Sequence, residues 1–242
     1  MLYSCDPPHP PPGTGPQCDC FNGAGRGRQR IPRIHSVTQD RSSPAWAHVL
    51  ATIDEAILDG REELDPLAGL SGPARTEIVT LPESIGRLTK LRRLKLYSSH
   101  LVRLPPEIGE MRSLEYLDVY TSYRLHFLPF ELAHCGALNN SRMSTRALYG
   151  NFKNRGHFPD LKHQLNASVL AGMAPALCSV CRGPNDQERV ITRWTTLRLG
   201  TDDIPLLVHA CSLPCIQSLP KPPDDYLQKA HTGGPQAQPP PR

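Results

Sequence analysis

A repeat of 23 to 24 residues in the middle of the chain constrains the fold more than any other feature. Three units align on Leu81, Leu104 and Leu128, and proline follows each of these leucines. Seven positions per unit, at −3, 0, +4, +7, +10, +13 and +15 from the anchor leucine, give 21 sites, of which 20 are apolar. A chain that is 38% hydrophobic would place about eight apolar residues there by chance. The repeat therefore predicts stacked units of similar conformation that share one apolar core.

The consensus of the units, LPxxIGxLxxLxxLxL, resembles the short leucine-rich repeat of Ras-pathway scaffolds and many bacterial proteins. The resemblance covers residues 78 to about 150. It implies an α/β fold, a short solenoid of about three leucine-rich repeats in which the LxxLxL segments form parallel strands. The sequence departs from the family at the ladder asparagine, where Ser99, Ser122 and Arg146 stand instead. A hydroxyl can make only part of the asparagine hydrogen bonds, so we expect a less regular arc.

The N-terminal end of the repeats needs a cap, because its apolar face would otherwise meet water. Ser43 is a good N-cap residue, and Pro44 fits the first helical position. From Trp46 onward, apolar residues recur at helical spacing. The sequence predicts a helix over 44–58, within an N-terminal helical cap assigned to 44–77.

The C-terminal end of the repeats is expected to be capped within 144–161, which completes a repeat region over 78–161. The segment STRALYGN begins this stretch, and the layout resembles small bacterial leucine-rich-repeat proteins that carry a similar segment after the last repeat. Tyr149, Phe152 and Phe158 are predicted to plug the open end of the leucine core. A ligand pocket built from the same aromatic residues is the alternative.

Proline is concentrated at the two ends of the chain: residues 1–20 and 220–242 hold 13 of the 26 prolines. We expect a disordered Pro/Gly/Arg-rich leader over 1–43 and a disordered Pro-rich tail over 219–242. The sequence shows no signal-peptide pattern and no apolar stretch long enough for a membrane span. The expected location is therefore cytoplasmic, with no membrane partner, and there the eight cysteines would stay reduced or bind metal.

Two cysteine pairs lie in the last third of the chain, in the segments CSVC and CSLPC. They are Cys178 and Cys181, then Cys211 and Cys215. Two predicted strands separate the pairs, so 162–218 is expected to be a small zinc-bound β-hairpin module. The order of knuckle, hairpin and cysteine-bearing helix start resembles a treble-clef zinc finger. Four thiolates would complete the coordination of a structural Zn²⁺, with Arg182 beside the centre.

Other arrangements of these side chains stay open at this stage. The cysteines could form disulfides if the protein is exported, or could be independent buried thiols. His209, two residues before Cys211, could replace a cysteine as a ligand or simply pack.

No catalytic motif emerges, so the protein is predicted not to be an enzyme. The pair His134 and Cys135 looks like a dyad, but Cys135 occupies a core position of the third repeat. No phosphate-binding, dinucleotide-binding or zinc-protease motif is present, and no small-molecule substrate is expected. The cysteine nucleophile of leucine-rich-repeat ubiquitin ligases lies in a CxD context, which no cysteine beyond Cys135 has.

The polar positions between the strand leucines would all face one concave surface, and this surface is predicted to bind another protein. Tyrosine and arginine, the residue types that most often anchor interfaces, are frequent there. The predicted partner-binding residues are Arg93, Lys95, Tyr97, Tyr116, Asp118, Tyr120, Asn140 and Arg142.

The alternative function is nucleic-acid binding by the zinc module. It would use Arg193, Arg198 and the arginines of GRGRQRIPR, at 26, 28, 30 and 33. A net charge of only +4 weighs against it.

Overall fold

The computed structural model describes residues 32–150, 157–162, 173–186, 188–235 and 237. The fold is mixed α/β. The helices are α1 (Pro44–Asp59), α2 (Gly72–Glu77) and α3 (Leu213–Gln217). The strands are β1 (Glu63–Leu64), β2 (Arg93–Lys95), β3 (Tyr116–Val119), β4 (Leu128–Pro129), β5 (Asn140–Met143), β6 (Ile191–Leu199) and β7 (Asp202–Ala210). Predictions for Phe152 and for the arginines at 26, 28 and 30 lie outside the described residues.

The first helix begins where the sequence predicts. The Ser43 hydroxyl accepts a hydrogen bond from the backbone N–H of Trp46 at 3.2 Å. The helix ends at Gly60, whose φ of 66° is left-handed and whose N–H donates to the Ala56 carbonyl. Its apolar stripe, which includes Val49 and Ile53, is buried in the same core as the repeat leucines. Helix α1 therefore covers the apolar face of the first repeat.

Strands β1, β2, β3 and β5 form a parallel sheet in which equivalent repeat positions are neighbours. Arg93 pairs with Tyr116, which pairs with Asn140. Leu94 pairs with Leu117, which pairs with Ser141. Among the 20 apolar positions that define the repeat, only Leu138 is not fully buried. The sequence periodicity thus gives both the buried face of the sheet and its register.

Short 3₁₀ turns return the chain on the outer side of the sheet, over Glu83–Arg87, Pro106–Glu110 and Phe130–His134. The first two contain glycine at position +5, Gly86 and Gly109. A Cβ on Gly86 would lie 2.7 Å from the Glu107 carbonyl oxygen, and one on Gly109 would lie 2.4 Å from that of Glu131. The third unit has Ala133 at this position. Glycine is therefore required only where the next turn stacks directly on the backbone.

We expect Gly109→Ala to lower the free energy of unfolding by about 1–3 kcal/mol, because the added methyl collides with backbone that cannot move aside freely. Urea denaturation followed by circular dichroism measures this loss. Gly136→Ala is the matched control, since no heavy atom lies within 4 Å of its ideal Cβ; its unfolding free energy should stay within about 0.5 kcal/mol of the parent value. Equal effects of the two substitutions would contradict the stacking argument.

Serine hydroxyls replace part of the missing asparagine ladder. Ser122 Oγ accepts from the backbone N–H of Ser99 at 3.2 Å and donates to the carbonyl of Leu96 at 3.1 Å. The two hydroxyls are 2.7 Å apart, and both side chains are buried. The pair satisfies backbone groups between the first and second units.

The C-terminal end of the sheet differs from the prediction. Tyr149 and Phe158 do not plug the leucine core; they form a second apolar cluster with Trp194. The β6–β7 turn lies against β5 instead. Thr201 N donates to Ser141 Oγ at 3.1 Å, and Thr201 Oγ1 donates to the Ser141 carbonyl at 2.8 Å. Ser141, the one polar residue among the repeat positions, is where this turn caps the sheet.

The predicted boundary at residue 162 implied a self-contained module. The cysteine-bearing hairpin instead packs on the repeats. Strand β7 pairs with β6 in antiparallel fashion and with β4 in parallel fashion, Leu206 lying opposite Leu128. Ile204 and Val208 belong to the same apolar core as the repeat leucines. An isolated two-stranded hairpin is only marginally stable in water, and this one gains a core by sharing that of the repeats.

Much of the segment predicted to be a disordered tail packs on the fold. The backbone of His231 exchanges two hydrogen bonds with Trp194, at 2.8 and 3.0 Å. Gly234 N donates to the Phe158 carbonyl, and the Thr232 carbonyl accepts from Leu161 N. The composition of this tail concealed its order, because backbone hydrogen bonds hold it rather than apolar side chains.

Candidate metal centre and partner-binding face

The four cysteines of the two predicted pairs come together at one end of the hairpin. Cys178 lies in a tight turn closed by a bridge between Leu177 and Pro184. Cys211 follows β7 directly, and Cys215 lies in α3. All four Sγ atoms are within 4.8 Å of one another. The arrangement is compatible with a metal ion bound by four thiolates.

Backbone amides surround the most buried of the four sulfurs. The N–H groups of Val180 and Cys211 each lie 3.4 Å from Cys178 Sγ. Burial raises the pKa of the Cys178 thiol, but these amides and that of Cys181 together lower it to about 6. Cys178 therefore favours the thiolate, which is the form that binds metals. Arg182, with a left-handed φ of 64°, closes this turn, and its N–H donates to the Cys178 carbonyl at 3.1 Å.

His209 is held by other contacts. Its Nδ1 is 3.1 Å from the Thr192 hydroxyl, and its backbone N–H donates to the Ser179 hydroxyl at 2.9 Å. Burial lowers the pKa of His209 to about 4, so the ring is neutral near pH 7. His209 was predicted either to replace a cysteine as a ligand or simply to pack. The contacts agree with packing, and His209 does not belong to the thiol cluster.

Arg182 does not sit over the sulfurs as a charge partner. Its guanidinium forms an ion pair with Glu110, in the second 3₁₀ turn. The turn that carries Cys178 and Cys181 is thus tied to the outer side of the repeats. No sequence pattern indicates this pair, because the two residues are 72 positions apart.

The predicted partner-binding residues lie on one face of the parallel sheet. On β2, β3 and β5 the side chains alternate between the core and this face, and the register aligns them in rows. Asp118 is itself buried, with 6% exposure. One row is Arg93, Tyr116 and Asn140; the next is Lys95, Asp118 and Arg142. Tyr97 and Tyr120 continue the face beyond the strand ends, with ring centroids 6.3 Å apart.

Arg142 links the two tyrosines at the end of this face. Its guanidinium carbon is 4.7 Å from the ring centroid of Tyr120 and 5.7 Å from that of Tyr97. A guanidinium nitrogen of Arg142 also lies 3.5 Å from the Asp118 carboxylate. That carboxylate accepts a hydrogen bond from the backbone N–H of Tyr120 at 3.0 Å. These contacts hold the aromatic rings in fixed positions and leave Tyr120 39% exposed.

The strand ends on this face have an unusual backbone. Ser98 and Thr121, at equivalent positions of two units, have φ values of 54° and 61°. Left-handed backbone is rare for a β-branched residue. The Thr121 N–H donates to the Ser144 hydroxyl at 2.7 Å, which compensates part of the strain. The two turns fix the direction of Tyr97 and Tyr120, each of which directly precedes one of them.

The suspected dyad has the properties of a core position. Cys135 is buried, and its thiol donates to the Ile108 carbonyl at 3.2 Å. Burial raises the pKa of the Cys135 thiol to about 12. A thiol with this pKa has almost no thiolate at neutral pH and is a poor nucleophile.

In the described part of the chain, no helix combines the length and the apolar character that a bilayer crossing requires. No protein-family model matches the sequence, and a comparison with curated proteins finds no match either.

Proposed function

We propose that this protein is a non-enzymatic binding protein that holds a partner protein on the exposed face of its parallel sheet. The sheet would be a short leucine-rich-repeat solenoid of about three units, and the hairpin a structural zinc module. The observation that carries the proposal is the in-register alignment of equivalent polar positions, with Tyr97, Tyr120 and Arg142 packed together at one end of the face.

Rigidity supports a binding role for this face. An ordered aromatic ring loses little conformational entropy on binding, so it contributes efficiently to affinity. Charges on the face are largely paired within it: Glu63 contacts both Arg93 and Lys95, and Asp118 contacts Arg142. A partner that combines apolar and hydrogen-bonding groups fits such a surface better than one that relies on a single sign of charge.

Zinc is the metal that the thiol cluster fits best. Bonds of about 2.3 Å to a tetrahedral Zn²⁺ place neighbouring sulfurs about 3.8 Å apart. The Cys181–Cys211 and Cys211–Cys215 sulfur separations are 3.6 and 3.7 Å. Four protein ligands would leave no open coordination position, so the proposed role is structural. Cytoplasmic location is part of the same proposal, since reduced thiols are needed.

The nucleic-acid alternative gains no support from the two arginines of the hairpin. Arg198 forms an ion pair with Asp203 at 2.9 Å, and Arg193 donates to the backbone carbonyl of Thr192. A phosphate-binding surface needs cations that are free to neutralise phosphates. If nucleic acid were nevertheless the ligand, the protein would elute from heparin only as salt rises to about 0.3 M.

Site-specific photo-crosslinking in the native host tests the protein-binding proposal. A photoreactive phenylalanine analogue at Tyr120 should give one discrete crosslinked protein. The same analogue at Leu58, which is 87% exposed on α1, should give none. Arg142→Gln, which removes the cation that orders both tyrosines, should reduce the Tyr120 adduct at least about tenfold. Identical adducts from both positions, or none from Tyr120, would count against the proposal.

A further inference from the structure

A cavity of about 490 Å³ lies between the outer side of the repeats and residues 173–176. Its volume is in the range of pockets that bind small organic ligands. Leu81, Leu104, Phe127 and Leu207 contribute apolar walls. The cavity is separate from both the thiol cluster and the tyrosine-bearing face of the sheet.

Glu131 is the unusual residue of this cavity. It is 1% exposed, and neither carboxylate oxygen has a hydrogen-bond partner within the described residues. Glu107, at the equivalent position of the preceding repeat, also lines the cavity and has one buried oxygen without a partner. Buried carboxyl groups are costly unless paired, so most native structures satisfy them.

The charged groups around the cavity are already engaged elsewhere. Arg41 is paired with Glu83, and Arg103 donates to the backbone carbonyl of Val37. Arg182, behind the wall, is paired with Glu110. Each of these three cations therefore has a partner other than Glu131 or Glu107.

The raised pKa values of the two carboxyl groups agree with the lack of a paired cation. Burial raises the pKa of Glu131 to about 7, against a smaller lowering by the nearby Ser179 hydroxyl. Burial also raises the pKa of Glu107.

We propose that this cavity binds a small organic cation, with a protonated amine or amidine between Glu131 and Glu107 and an apolar body against the leucine and phenylalanine walls. The charged group would form charge-assisted hydrogen bonds with these carboxylates, and the Glu131 side chain, whose oxygens have almost no accessible surface, would turn toward the cavity to do so. A metal ion fits less well, because the two carboxyl groups belong to no cluster of three potential ligands within the described residues. This site goes beyond the proposed protein-binding function and departs from the expectation that no small molecule binds.

A matched pair of probes tests the proposal on the full chain. 2-Phenylethylamine carries an ammonium group, and 2-phenylethanol has nearly the same shape without the charge. Titrations followed by ¹H–¹⁵N NMR give the dissociation constant of each probe. We expect the amine to bind at least about tenfold more tightly than the alcohol, with shift changes at the backbone amides of Arg103, Leu104, Glu107, Leu128, Phe130 and Glu131.

Glu131→Gln removes the charge while keeping the shape of the side chain. It should abolish the preference for the amine, and the free energy of unfolding should stay equal or rise, because an unsatisfied carboxyl group is lost. Glu55→Gln, an exposed charge change on α1, is the control and should leave both dissociation constants unchanged.

Ala174→Phe provides a second, independent variant. Ala174 is half-buried in the cavity wall, and a larger side chain there should weaken binding of both probes. This result would support the location even if Glu131→Gln failed to fold. Equal affinities of amine and alcohol for the parent protein, or an unchanged preference in Glu131→Gln, would overturn the proposal.

Discussion

Removal of the proposed zinc ion is expected to unfold the repeats together with the cysteine hairpin. Structural zinc contributes about 10–16 kcal/mol of apparent binding free energy in small zinc-binding peptides, which equals or exceeds the stability of a typical domain, about 5–15 kcal/mol. Strand β7 pairs with β4 and shares the leucine core. Loss of the hairpin therefore exposes repeat leucines and removes the turn that caps β5.

Thermal unfolding with and without a strong chelator measures this effect. For a chain of this size each kcal/mol corresponds to about 2–4 °C, so we expect a fall in melting temperature of about 20 °C or more, reversed by Zn²⁺. Native mass spectrometry should show one zinc per chain. Cys178→Ser and Cys211→Ser should reproduce the loss, whereas Cys135→Val, outside the cluster, should retain the metal.

Two outcomes would contradict the expectation in different ways. An unchanged mass and melting temperature after chelation would refute the metal site itself. Loss of hydrogen-exchange protection confined to residues 173–218, with the repeats still protected, would retain the metal site but refute the shared core.

Trp194→Ala should destabilise the protein by about 3–5 kcal/mol, the range for deleting a large buried aromatic side chain. Trp194 is fully buried, and its ring contacts those of Phe127, Tyr149 and Phe158 at centroid distances of 5.2 to 5.9 Å. Its indole N–H donates to the Pro159 carbonyl at 2.9 Å. The substitution thus removes packing and leaves a buried carbonyl without its partner.

Urea denaturation of the metal-loaded protein gives the loss for Trp194→Ala. Trp194→Phe is the control: it keeps an aromatic ring and should lose about 1–2 kcal/mol, mainly from the missing hydrogen bond. Hydrogen exchange adds a local readout, because the amides of His231 and Gly234 should lose protection in Trp194→Ala. A loss below about 1 kcal/mol for Trp194→Ala would show that this cluster does not hold the C-terminal segment.

The sequence predicted those features that depend on short-range periodicity. Leu94 and Leu117 are buried because their spacing places them on the core face of successive units. Ser43 caps α1 because its side chain acts within three residues. The four cysteines come together because each pair needs only a local turn, and the hairpin between them brings the pairs to one end.

Features that depend on contacts between distant segments were not predictable in this way. The pairing of β7 with β4 and the packing of His231 against Trp194 leave no periodic trace. Two exceptions within the repeat were informative: Ser141 and Ala133 depart from the pattern where the stack ends. The unpaired carboxyl of Glu131 had no sequence signal, because an acidic residue at position +3 also occurs as Glu107.

The glycine at position +5 has a consequence for how the array could grow. A duplicated second unit inserted ahead of the third would bring its own Gly109, so its turn could stack closely on the next one. A unit appended after the third would meet the methyl group of Ala133 and would have to displace Thr201 from Ser141. Gene duplication could therefore lengthen this protein from within but not at its C-terminal boundary.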